Sequence, residues 1–104
     1  MADHDPFDLN APGDAQAKAA EKAKHAMRVE KEDLIWLMSG KRGRRVVQRQ
    51  LERAGVWRSS FNTNALQMAF NEGTRNEGLA LVAKLMSYCP EYYAQMITEN
   101  REDD

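Results

Sequence analysis

The chain has 104 residues, 42% hydrophobic and 30% charged, with a formal net charge of −1. That length holds one domain with a thin core. The near-neutral balance argues against a protein that coats nucleic acid through overall charge. No apolar run approaches the ~20 residues a membrane-spanning helix needs, so no membrane is expected.

Residues 1–13 carry two prolines, one glycine and three aspartates, which predicts a flexible acidic arm. The start, Met1 to Pro6, has neither a basic head nor an apolar segment, unlike a signal peptide. Phe7 and Leu9 are the arm's sizeable apolar side chains after Met1, either anchors or simply solvated. His4 and His25 have no cysteine or histidine at ligand spacing, so no metal is expected.

Asp14 is suited to cap a helix from Ala15 to Ser39. Its first half, to Arg28, is nearly all Ala, Lys, Glu and Gln, strong helix formers with little to bury; this half reads as a protruding helix. Its second half carries the cluster Leu34, Ile35, Trp36, Leu37 and Met38. Met27, Glu30, Leu34, Leu37 and Met38 share a face. Trp36 reads as either core or interface.

Gly40-Lys41-Arg42-Gly43 turns the chain into a second helix over 43–54. Val46, Val47, Gln50, Leu51 and Ala54 fall on one side, the remaining positions being mostly arginine. Gly55 at C′, with Leu51 and Val56 as the flanking apolar pair, predicts a Schellman ending. Trp57 to Thr63 is a loop that Trp57 and Phe61 are expected to pin to the core. Asn64 caps the next helix, with Gln67 placed to complete a capping box.

The third helix runs from 64 to 88. Leu66, Ala69, Phe70, Gly73, Ala80, Leu81, Ala83 and Leu85 are its expected buried surface. The stripe Ala69, Gly73, Asn76, Ala80 and Ala83 is small enough for a helix to approach closely. Gly73 and Gly78 are both read as allowing the arginine-rich helix and the Trp36 segment to pack near. Glu72, Arg75 and Asn76 are placed to reach that helix or the loop. Cys89, the one cysteine, excludes an internal disulfide and reads as a small buried hydrophobe. Pro90 starts a short fourth helix to about Asn100, and 101–104 is an acidic tail. The fold class is all-α, a bundle of three to four helices over 29–100.

Charge is unevenly spread. Lys41, Arg42, Arg44, Arg45, Arg49, Arg53 and Arg58 stand against Glu52 alone between 41 and 58. Residues 1–14 and 91–104 are each acidic. The basic segment reads as a solvated face, a grip for phosphates, or a dock for an acidic protein. A base-reading helix–turn–helix is disfavoured, because the arginines lie on the preceding helix and the third has no base until Arg75. Ser59 and Ser60 have no nearby histidine, and Glu72 and Glu77 lie on different helix faces. No enzyme and no cofactor are expected.

From Leu34 onward a set of short motifs stands out: Trp36-Leu37-Met38-Ser39, Gly43-Arg44, Leu51 with Gly55-Val56, and Arg58-Ser59-Ser60-Phe61. Phe70-Asn71-Glu72-Gly73, Arg75-Asn76, Gly78, and Pro90-Glu91 with Tyr93 complete it. With these motifs the chain resembles a family of small bacteriophage proteins typified by a structural-type protein of a Bordetella podovirus. The resemblance implies an all-helical, virion-associated protein with a phage protein as partner, in the virion or the host cytoplasm. A nucleic-acid-binding accessory protein and an early effector that binds a host protein are the alternatives. A homo-oligomer is compatible with the thin core.

Overall fold

The computed structural model describes residues 11–102, with side chains described over 13–101. It is all-α: α1 (Ala11–Ser39), α2 (Lys41–Ala54), α3 (Ala65–Tyr88) and α4 (Pro90–Glu102). The expected anchors Phe7 and Leu9 lie outside the described residues, as do the last two residues of the tail. By packing, the chain divides into a unit ending at Glu32 and a unit beginning at Asp33.

In the first unit α1 starts at Ala11, earlier than expected. Pro12 therefore sits in the opening turn, where its missing N–H goes unused. Asp14 is not the cap but a first-turn acid, favourable to the helix dipole. Every residue from 13 to 29 is exposed, Met27 included. High helix propensity supports this segment; apolar burial does not.

The second unit holds the core. Met38, Val47, Leu51, Val56, Leu85, Cys89 and Met96 are buried, and Leu34, Leu37, Leu81, Val82, Tyr92 and Ile97 pack around them. α2, α3 and α4 touch pairwise, and the end of α1 contributes Met38. α2 begins at Lys41, so Gly43 lies inside it. A Cβ there would overlap the Leu37 carbonyl oxygen, so α2 crosses the end of α1 at backbone contact distance.

The buried face of α2 is Arg44, Val47, Gln48 and Leu51. The expected face was rotated: Val46 and Gln50 are exposed, and Arg44 and Gln48 point inward. The Schellman ending forms. Gly55 is left-handed (φ 81), its N–H reaches Glu52 O at 3.1 Å, and Val56 N–H reaches Leu51 O at 3.3 Å.

Asn64 caps α3, its side chain accepting from Gln67 N–H at 3.0 Å. The capping box stays half made. The Gln67 amide turns to Asn71, and the Asn64 N–H is taken by Asn62 Oδ1 at 2.8 Å.

The inward stripe of α3 is Asn71, Thr74, Arg75, Gly78, Leu81, Val82 and Leu85, at helical spacing. The small stripe Ala69, Gly73, Asn76, Ala80 and Ala83 faces outward, opposite to expectation. The two glycines thus differ. A Cβ on Gly78 would sit 2.5 Å from Val56 Cγ1 and 2.7 Å from Ala54 Cβ, whereas one on Gly73 would meet nothing within 4 Å. The close approach belongs to Gly78 alone, and it is made to the end of α2, not to Trp36. Cys89 closes α3 through its N–H to Leu85 O at 2.9 Å, and Pro90 opens α4.

Candidate functional site

The seven basic residues of 41–58 separate into three groups. Lys41, Arg42, Arg45 and Arg49 are exposed along α2. Arg44 is buried and already paired. Its Nε and Nη2 donate to the two carboxylate oxygens of Glu99, each at 2.9 Å. Its Nη1 donates to Met38 O at 2.8 Å, and the guanidinium lies 6.0 Å from the Tyr92 ring centroid. The Arg44 hydrogen bond holds the Glu99 carboxyl below its ordinary range. Arg44 is therefore a structural tie between α1, α2 and α4, and it is unavailable to a ligand. Its spacing to Val47, Gln48 and Leu51 was the available signal for burial. Glu99, 55 residues away, gave none.

Arg53 and Arg58 form the third group. They line a cleft of about 350 Å³ together with Gly55, Ser59, Ser60, Phe70, Asn71, Thr74 and Arg75. One wall is the end of α2 and the loop after it; the other is the front half of α3. Arg58 Nη2 donates to Glu52 O at 2.9 Å, and Arg75 Nε donates to Arg58 O at 3.0 Å. Ser60 donates its hydroxyl to a Glu72 carboxylate oxygen. Asn71 Nδ2 donates to Ser60 O at 3.4 Å, and Thr74 donates to Asn71 O at 3.0 Å. Glu72 and Arg75 thus each reach the loop, as expected, whereas Asn76, expected to reach with them, is exposed. Ser59, Ser60 and Asn71, named from the sequence only as loop or motif residues, also line the cleft, as does Thr74, which no sequence signal singled out.

The aromatic residues did not take the places expected of them. Trp57 is half-exposed and Phe61 is 73% exposed, so neither pins the loop to the core; the buried residue is Val56, just before it. Trp36 is 76% exposed, Leu66 84% and Phe70 67%. Cys89 is buried, as expected. Burial, with a smaller effect of Glu91, pushes its thiol up, which favours the unreactive protonated form.

Residues 35–98, more than half of the chain, match the Bbp19-like phage protein family. The chain belongs to that family. No curated protein and no solved structure matches it. Family membership and the helical fold agree with the resemblance read from Leu34 onward. Among the described residues no helix is long and apolar enough to cross a membrane.

Proposed function

We propose that this Bbp19-like protein is a non-enzymatic component of the phage particle that docks on another phage protein. The observation that carries this reading is the bulky apolar surface left in water between Asp33 and Asn100, foremost Trp36, Phe61 and Leu66. Fully burying a side chain of that kind yields about 1.5–3 kcal/mol. Trp is also enriched among residues that dominate binding interfaces. A small domain with a thin core gains from such a partner.

Mass spectrometry of purified particles tests the reading. The protein co-purifies with particles, and a Trp36→Ser/Leu66→Ser variant keeps its helical circular dichroism yet drops out of them. Consistent absence of the wild-type chain from particles, with abundance in the infected-cell lysate, refutes it.

A further inference from the structure

The Arg53–Arg58–Arg75 cleft is a separate feature from the docking surface. Three guanidiniums line it and no carboxylate does, in a chain whose net charge is −1. The contrast with Arg44 is decisive. Arg44 spends its charge on Glu99. Arg58 and Arg75 are held by backbone carbonyls, which orient a guanidinium without neutralising it. Among the described residues no carboxylate pairs with Arg53, Arg58 or Arg75. Each guanidinium has five N–H donors, so Arg58 and Arg75 keep most of theirs for something else. Like charges gathered round one cleft repel, and an anion relieves that.

The rest of the lining narrows the anion. Phe70 stands in the wall with 67% of its surface in water, although an aromatic ring gains by being covered. The cleft volume falls in the range of small-ligand sites, ~300–1,000 Å³. That is more room than a bare oxyanion needs. A carboxylate side chain has no aromatic face to stack on a phenyl ring, whereas a nucleobase does.

We propose that this cleft binds a nucleoside phosphate, free or within a single-stranded nucleic acid, with the phosphate on Arg53, Arg58 and Arg75 and the base stacked on Phe70. Ser59 and Thr74 add hydroxyls on either side of the same opening.

Fluorescence anisotropy with a labelled oligothymidylate tests it on the full chain. One neutralised phosphate weakens single-strand binding only about threefold between about 50 and 200 mM salt, at a slope of about −0.7 per phosphate. Arg53→Gln/Arg75→Gln takes two of the three guanidiniums from that phosphate and weakens binding at least about tenfold, from ~1.5 kcal/mol or more per charge-assisted bond lost. Phe70→Ala weakens binding at least about fivefold, from ~1 kcal/mol or more per stacked base, without changing the salt slope. Arg45→Gln/Arg49→Gln, on the exposed face of α2 and outside the cleft, loses far less affinity than the cleft pair.

Competitors separate the sources. Thymidine monophosphate competing as well as the oligomer, per nucleotide, assigns a free nucleotide; a much stronger oligomer assigns a strand. The proposal is overturned by any of four results: absent binding, inorganic phosphate competing as well as the monophosphate, a polyglutamate peptide outcompeting both, or the Arg45/Arg49 variant losing as much as the cleft variant. Circular dichroism confirms that each variant is folded.

Discussion

Replacing Glu99 by Gln leaves the Arg44 guanidinium buried without its counter-charge. In the wild type each carboxylate oxygen accepts a charge-assisted bond at 2.9 Å, and such bonds contribute roughly 1.5–3 kcal/mol apiece. An amide restores one neutral acceptor at best, and Met38 O remains. Breaking a buried pair from one side costs about 3–5 kcal/mol. Glu99 keeps 19% of its side chain in water, which places the expected loss near the lower end, about 3 kcal/mol.

For a domain of this size that lowers Tm by roughly 12–24 °C, at about 4–8 °C per kcal/mol. Acid sensitivity changes with it. The folded Glu99 carboxyl lies below its unfolded value, so the folded state binds fewer protons. The pair's stabilisation is complete above the unfolded value, about 4.3. It is lost as pH falls through the lower folded value. Glu99→Gln flattens that acid limb. Urea unfolding of wild type and variant between about pH 3 and 7 measures both effects. Arg44→Met combined with Glu99→Leu recovers much of the loss, because it removes both charges. If Glu99→Gln unfolds within ~0.5 kcal/mol of wild type with an unchanged acid limb, the tie between α2 and α4 has been misread.

Gly73→Ala stabilises by about 0.5–1 kcal/mol through helix propensity, because its Cβ enters open space. Gly78→Ala gains the same propensity yet destabilises by ~1–3 kcal/mol, since Val56 and the short Ala54 side chain block its Cβ. Equal effects at the two sites, read from urea midpoints, would refute the asymmetry. Asn64→Ala removes the bond to Gln67 N–H and costs about 1 kcal/mol in the same assay. Cys89 stays unmodified by a thiol reagent until the chain unfolds, because it is buried and its thiol is pushed up; rapid labelling at neutral pH contradicts this.

Features set by neighbouring residues were legible in the sequence. Gly55-Val56 after Leu51 dictates a helix ending within six residues. Asn64 and Pro90 bracket α3 and α4 for equally local reasons. Features set by distant partners were not. The register of α2 turns on one residue: Val46 and Val47 are equally apolar, and the rotation that buries Val47 with Leu51 is also the one that brings Arg44 to Glu99. Gly73 and Gly78 look alike as letters, but Val56 arrives opposite one of them. The basic segment read as a single patch because linear charge counting cannot see that Arg44 is neutralised. Nor can it see that Arg53 and Arg58 join Arg75, from another helix, across a cleft. Phe70 and Leu66 counted as core because they are apolar. Their turn of α3 lies beyond the reach of the small core that α2 and α4 supply.

Gly78 marks the point at which support for α3 changes character. Behind it Leu85 is buried; ahead of it, from Ala65 to Glu77, no residue is, and the loop holds that part through side-chain hydrogen bonds. Leu66 stands twelve residues before Gly78, about 18 Å along the axis at 1.5 Å per residue. The seam with Ala54 and Val56 therefore acts as a fulcrum. A partner that grips the Leu66 end gains a lever on the α3 wall of the arginine cleft, opposite the end of α2 that forms the fulcrum, and the Ser60 and Arg58 contacts lie between that end and the core.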